Sequence, residues 1–360
     1  MNKSYSERLF AFNQQEIERH IAMITLLFII MIMGIIGNSL VVYIHILKLN
    51  RTASTTLVIF LGWSQIINSA ICVPMDIVFL FHPYIFTNDV LCRFMQSVVF
   101  MSVLVSGLII FTIAIDRFKK VCRPFATQFT RKAVKKIILL NIVITTLPMS
   151  VNCYVRGIKE ISLSDNLIGH MCSISDKAVP TVVYGFFIFM LALCVLSVLT
   201  FIIIYSTIFG KLREYGKRKR LLLASLQPSL SRVSERTSSR DEHSISERSK
   251  DPVFRPMQRR RYYIATTQIT FNMFFITLSL CLTYIPYFTL TFLTTKVSIR
   301  RNGWEPPNNI FYKLADHSYY INDLIIPIIY VIFSPSFRRE VMVLFKQYIL
   351  CNICNKPDEN

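Results

Sequence analysis

Seven long apolar runs, separated by polar segments, set the pattern of this 360-residue chain. Each is close to or longer than the roughly 20 residues that cross a bilayer as a helix. Spans must be helical because lipid offers backbone polar groups no partner. The pattern therefore predicts an all-α membrane protein, with a seven-transmembrane helix bundle over residues 21–333. The predicted spans are residues 21–47, 55–81, 94–115, 137–155, 178–208, 262–295 and 310–333.

A short amphipathic segment follows the seventh run. Phe337, Val341 and Leu344 fall on one helical face, which is typical of a helix lying on the membrane surface. We predict this helix over residues 334–348 and a cytoplasmic tail over 349–360. Cys351 and Cys354 are candidates for palmitoylation, since juxtamembrane cysteines are common sites of that modification. The alternative is a pair of unmodified thiols.

Charge then suggests an orientation. Only 17% of residues are charged, yet the net charge is +19. With the N-terminus outside the cell, most Lys and Arg residues fall in the segments that face the cytoplasm. The positive-inside rule places the tail 1–20 outside the cell, on a multi-pass plasma-membrane protein. Asn2 begins a glycosylation sequon, which fits that side. Because the positive charge lies between apolar runs and not along one face, it does not indicate nucleic-acid binding.

The long inner loop, residues 211–258, is Ser-rich with basic ends at 217–220 and 259–261. It has little apolar surface to bury, so we expect its middle to be disordered. No nucleophile–base pair, metal-ligand spacing or phosphate loop occurs in a span or long loop. The sequence therefore predicts no enzyme, metal or cofactor. A channel or transporter is disfavoured because we find no internal repeat and no polar lining along several helices.

Cys92 lies just before the third predicted span and Asp116-Arg117-Phe118 just after it, with 25 residues from Cys92 to Arg117. Pro124 and Phe125 follow. In these features the chain resembles the rhodopsin-like (class A) G-protein-coupled receptor family. The other spans carry further matches to that family over roughly residues 21–346. They are Gly37-Asn38, Pro74, Tyr205, Pro286, Pro327-Ile328-Ile329-Tyr330 and Phe337-Arg338.

The resemblance implies a conformational switch at Arg117, held by Asp116 at rest and released when the sixth span moves outward. Arg117, Pro124 and Phe125 would contact a heterotrimeric G protein. The remaining switch residues implied by the family pattern are Tyr205, Tyr284, Pro286, Pro327 and Tyr330. If kinases and arrestin silence the receptor, their phosphates would lie in the Ser-rich loop, because the tail has no Ser or Thr.

The resemblance also implies a disulfide from Cys92 to Cys172, with Cys153 as a rival partner. A ligand pocket would lie between the third, fifth, sixth and seventh spans. Asp76 and Asp316 could recognise basic groups, which favours a peptide ligand, whereas Val99 occupies the place of the Asp in amine receptors. The pocket candidates are Gln96, Val99, Tyr284, Tyr287, Asp316 and Tyr320.

Several positions depart from the family pattern. Gln65 and Ile326 replace polar residues of the sodium site found in many members, although Asp323 could supply a carboxylate nearby. Ser197 replaces a Pro, and Tyr284 replaces the usual Trp. These departures mark a divergent member. They leave open a chemosensory receptor of the same fold and a receptor-like membrane protein that does not signal.

Overall fold

The computed structural model describes residues 4–164, 167–234, 254–300 and 310–354. Over these residues the chain is mostly helical and carries one hairpin. The elements are α1 (Tyr5–Leu47), α2 (Ala53–Ile67), α3 (Val73–Phe81), α4 (Asp89–Cys122), α5 (Arg131–Val155), β1 (Arg156–Ser164), β2 (Leu167–Ile174), α6 (Pro180–Ser234), α7 (Phe254–Arg300), α8 (Ile310–Asp316), α9 (Ile321–Phe333) and α10 (Pro335–Cys354).

The helices form the predicted seven-span bundle. Among the described residues, six spans are long and apolar enough to cross a membrane, with α2 and α3 joined through a π-helical turn, Asn68–Cys72. The seventh predicted span contains α8 and α9, joined through a 3-10 turn, Ser318–Tyr320. Its segment Ser318–Phe333 meets the same test only when it is taken together with the helix that follows. At Ser334 the chain bends by 96° into α10, as expected for a helix that leaves the bundle to lie on the surface. α10 continues past residue 348 to Cys354.

Apolar side chains occur on both the inside and the outside of the bundle. Leu27 and Leu61 are fully buried, whereas Leu139 and Leu147 on α5 are among the exposed apolar residues. Since lipid is as apolar as the core, helices in a bilayer associate through close packing of small residues. Gly37 shows this: a Cβ there would lie 2.7 Å from Cγ of Pro327. This Gly lets α1 approach α9 closely.

Among the described helices, α1 and α6 extend farthest beyond their predicted spans. α1 begins at Tyr5, so most of the predicted N-terminal tail is helical, with a capping box between Ser4 and Glu7. α6 continues to Ser234, so the first half of the predicted loop 211–258 is helical and not irregular. The middle of that loop, residues 235–253, lies outside the described residues. Its predicted disorder therefore stays a prediction.

The hairpin of β1 and β2 was not predicted. The strands pair antiparallel with Ile158 opposite Cys172, and His170 forms a parallel bridge with Ile85, between α3 and α4. The hairpin covers one end of the bundle, here called the hairpin end. The opposite end, where α4 carries Arg117, is called the Arg117 end.

Candidate functional site

A disulfide between Cys92 and Cys172 ties the first turn of α4 to β2, with a Cα–Cα distance of 5.6 Å. Cys153, the rival partner, is a free thiol. The predicted pairing is therefore confirmed. Because Cys92 belongs to α4 and Cys172 to β2, the bond holds the hairpin against the bundle. Cys92 is fully buried there.

The outer turns of α1 pack against the same end. Asn13 is buried and makes two hydrogen bonds to the chain that follows α3. Its Nδ2 donates to the carbonyl of Phe81 at 3.2 Å, and its Oδ1 accepts from the amide of Tyr84 at 3.1 Å. Tyr5 reaches the hairpin, where its hydroxyl donates to the carbonyl of Ile168 at 2.9 Å and accepts from the Ile168 amide. The N-terminal segment thus forms part of the rim.

Beneath the hairpin lies a cavity of about 200 Å³, the hairpin cavity. Four of the six predicted pocket residues line it: Gln96, Val99, Tyr287 and Asp316. The structure does not place Tyr284 or Tyr320 in its wall. Tyr320 is fully buried and donates from its hydroxyl to Asp76, and Tyr319 lines the cavity in its place.

The hairpin cavity carries both signs of charge. The carboxylate of Asp76 accepts hydrogen bonds from the hydroxyls of Tyr319 and Tyr320, at 2.8 and 2.9 Å. Asp316, by contrast, has 38% of its side chain exposed, so it remains accessible to a ligand. Cations line the cavity as well: Arg156 and Lys159 from β1, and Lys313 from α8.

Three side chains in the cavity wall have buried polar atoms without a hydrogen-bond partner among the described residues. The atoms are Oδ1 of Asn152, Nε of Arg156 and both ring nitrogens of His20, of which Nε2 lies 3.1 Å from the carboxylate of Glu16. Buried polar groups are nearly always hydrogen-bonded, so these atoms are available to a polar ligand. Arg156 also lies 5.8 Å from the ring of Phe187, which orients its guanidinium.

Midway through the bundle, the carboxylate of Asp323 is buried in a polar core. The carboxylate accepts hydrogen bonds from Nδ2 of Asn68 at 3.0 Å and from Oγ of Ser69 at 2.9 Å. The backbone carbonyl of Asp323 accepts a hydrogen bond from Nδ2 of Asn38. Asn68 also accepts from Ser102 on α4. Asp323 was expected here, whereas Asn68 and Ser69 were missed. Two adjacent polar residues inside an apolar run are the signal that could have found them.

At the Arg117 end, Asp116 is the centre of a buried charged group that we call the Asp116 cluster: Ser54, Asp116, Arg117 and Lys120. Asp116 and Arg117 are only 1% and 3% exposed. The Asp116 carboxylate accepts from Oγ of Ser54 at 2.7 Å and from Nε of Arg117 and Nζ of Lys120, both at 3.2 Å. Arg117 and Lys120 also donate to the Ser54 hydroxyl. The structure thus adds Ser54 and Lys120 to the predicted Asp–Arg pair.

Tyr205 and Tyr330 do not share a partner in this structure. The hydroxyl of Tyr205 hydrogen-bonds Oγ1 of Thr277 on α7 at 2.9 Å. Tyr330 packs edge-on against His45 with ring centroids 5.1 Å apart, and its buried hydroxyl has no partner among the described residues. Pro286 and Pro327 lie inside α7 and α9 as expected.

Pro124 and Phe125 lie between α4 and α5 at the Arg117 end, and Phe125 is fully exposed. Asn2 lies outside the described residues. Cys351 and Cys354 are in the last turn of α10, where only the backbone is described. Their predicted glycosylation and palmitoylation stay predictions.

Comparison with known proteins agrees with this architecture. Residues 37–330 match the family described as "7 transmembrane receptor (rhodopsin family)". A stretch of 148 residues is 24% identical to a cholecystokinin receptor of Xenopus laevis, covering 40% of this chain and 32% of that relative. The matched part is thus about a third of the relative's length. Since the family match covers most of the chain, including the Asp116 cluster and the disulfide, the chain belongs to the rhodopsin family of seven-transmembrane receptors.

Proposed function

We propose that this receptor binds an extracellular peptide in the hairpin cavity and activates heterotrimeric G proteins at the Arg117 end. The observation that carries the proposal is the buried Asp116 cluster. It lies at the opposite end of the bundle from the cavity, at the same end as the exposed Phe125. On this account the hairpin end faces outward from the plasma membrane, as the charge distribution predicts.

The Asp116 cluster has the properties of a two-state element. An arginine held by a carboxylate in a buried site is stabilised more strongly than on a surface, because screening by water is weak there. Arg117 released from Asp116 would be free to extend toward a G protein, with Phe125 as an apolar contact. A ligand drives such a change only if it binds the released state more tightly than the resting state. Lys120 would then remain one helical turn from Asp116 and keep its carboxylate paired.

A peptide fits the hairpin cavity better than a simple amine does. Val99 offers no counter-ion, whereas Asp316 and Arg156 both line the cavity and can contact groups of opposite charge. The partial similarity to a cholecystokinin receptor supports the same class of ligand. A chemosensory receptor would use the same cavity, and expression in sensory cells would distinguish it.

The ligand class is tested with a peptide library on cells that display the receptor, using nucleotide exchange on G-protein α subunits as the readout. For peptides with a basic residue, Asp316→Asn should weaken the response about tenfold or more, since a hydrogen bond to a charged group contributes about 1.5–3 kcal/mol. Asp176→Asn is the matched control, because Asp176 is exposed at the same end but does not line the cavity.

Equal potency in the two Asp variants would contradict the assigned cavity. A response to small metabolites and to no peptide would contradict the ligand class while leaving the receptor function intact. No exchange with any compound from well-displayed protein would favour the non-signalling alternative. Arrestin recruitment is tested separately: deleting residues 225–249 should abolish it if the Ser-rich loop carries the phosphates.

A further inference from the structure

A second cavity, of about 330 Å³, lies between α4, α6 and α7. We call it the lateral cavity. It shares no lining residue with the hairpin cavity, and every residue that lines it is uncharged. Its volume falls at the lower end of the range of about 300–1,000 Å³ that is typical of small-molecule sites. A charged ligand finds no partner in it.

The lateral cavity opens toward lipid. Leu193 and Leu196 of α6 line it and are 44% and 60% exposed, so they form its mouth on the outer face of the bundle. On the opposite side, a Cβ added to Gly107 of α4 would meet no atom within 4 Å. The space exists partly because Gly107 contributes no side chain to it.

The depth of the lateral cavity follows from its position along the helices. Gly107 lies ten residues before Arg117 and fifteen after Cys92 on α4, which places it roughly 15 Å from the Arg117 end at 1.5 Å per residue. That distance is about half the hydrocarbon thickness of a bilayer. The surroundings of the mouth are therefore the terminal parts of phospholipid acyl chains.

An empty apolar cavity of this size is unfavourable, because its walls lose dispersion contacts. Protein interiors contain few voids larger than a water molecule, and apolar cavities of about 150 Å³ can hold a benzene-sized guest. Water is disfavoured because nearly all of the lining is apolar. We propose that the lateral cavity is a binding site for the end of a phospholipid acyl chain, which enters from the bilayer between Leu193 and Leu196.

Occupancy would affect the receptor through Tyr284. Tyr284 and Phe288 of α7 both line the cavity and stack with ring centroids 6.3 Å apart. Tyr284 occupies the position implied to act in the switch, and its other face stacks on Tyr319, which lines the hairpin cavity. A chain in the lateral cavity would favour receptor arrangements that keep α7 apart from α4. This consequence rests on the proposed function, whereas the binding site itself does not.

The site is tested on purified full-length receptor in nanodiscs. The probe is a phosphatidylcholine with a photoreactive diazirine near the terminus of one acyl chain, and labelled positions are mapped by mass spectrometry. We expect labelling at Tyr284 and Phe288 to exceed labelling at Leu139, an exposed lipid-facing residue of α5. Gly107→Leu fills the cavity and should abolish that excess.

Gly185→Leu is the matched control. It makes the same change on α6, where an added Cβ also meets no atom within 4 Å, but Gly185 does not line the cavity. Its labelling should equal that of the unaltered chain. If Gly107→Leu fails to fold, Ser197→Leu, which projects from the α6 wall, replaces it. Equal labelling of Tyr284 and Phe288 in the cavity-filling variant and in Gly185→Leu would overturn the proposal. Labelling of these two residues that does not exceed labelling of Leu139 would also overturn it. Neither result depends on G-protein coupling.

Discussion

Removal of the Ser54 hydroxyl should raise the basal activity of the receptor. Ser54 is the second residue of α2, and its Oγ donates to the Asp116 carboxylate at 2.7 Å while accepting from Arg117 and Lys120. It therefore links the carboxylate to both cations. If the Asp116 cluster stabilises the resting state, Ser54→Ala should destabilise that state without changing the charge of the receptor.

The size of the effect follows from one charge-assisted hydrogen bond. Such a bond contributes about 1.5–3 kcal/mol, and about 1.4 kcal/mol corresponds to a tenfold change in an equilibrium constant. Ser54 is only half-buried, so we use the lower end of this energy range. For a minor active state populated at about 1%, the substitution should raise its population roughly tenfold.

The assay is ligand-free nucleotide exchange at matched surface density. Thr56→Ala is the control, because Thr56 lies on the same helix but donates its hydroxyl to the carbonyl of Thr52, at 2.9 Å. Basal exchange in Ser54→Ala that equals exchange in Thr56→Ala would refute the view that this cluster stabilises the resting state.

Two further predictions concern the hairpin end. Cys92→Ser and Cys172→Ser should each lower the free energy of unfolding by about 2–4 kcal/mol, and the double variant should be no less stable than the worse single one. Thermal unfolding of purified receptor measures this, and additive losses would contradict a single shared bond. Asn13→Ala should speed amide exchange over residues 5–13 about tenfold or more, since it removes two buried hydrogen bonds. Hydrogen exchange that matches the unaltered chain would show that the helix is held by other contacts.

The spans could be predicted from sequence because each apolar run is nearly long enough to cross a bilayer alone. The helical segment 5–20 could not, because it is polar and is positioned by partners distant in sequence. Asn13 contacts Phe81 and Tyr84, and Tyr5 contacts Ile168. The hairpin also could not be predicted, because β1 mixes charged and apolar residues without regular alternation.

One of the predicted pocket residues, Tyr320, was placed wrongly. Tyr320 was assigned to the pocket from the resemblance to the receptor family. The chain makes a 3-10 turn at Ser318–Tyr320, with about 3.0 residues per turn in place of the 3.6 of an α-helix. That change in phase directs Tyr319 to the cavity and buries Tyr320 against Asp76. Ser54 was missed at the Asp116 cluster because it lies 62 residues away in sequence.

Membership of the receptor family confirms the prediction that this chain is not an enzyme. Gln65, Ile326, Ser197 and Tyr284 depart from the pattern of that family. Two departures, Gln65 and Ile326, are accompanied by a rebuilt polar core around Asp323. The Asp116 cluster, in contrast, keeps the Asp–Arg pair buried and hydrogen-bonded.

The most direct test of the central claim compares nucleotide exchange on a panel of G-protein α subunits between the unaltered receptor and Arg117→Glu, with the same peptide library added to both. Lys136→Glu is the control, because it makes the same charge change at an exposed position of α5. We predict exchange above background in the unaltered receptor and in Lys136→Glu, and none in Arg117→Glu at equal surface density. Exchange that survives in Arg117→Glu would contradict the assignment of Arg117 as the residue that couples ligand to G protein.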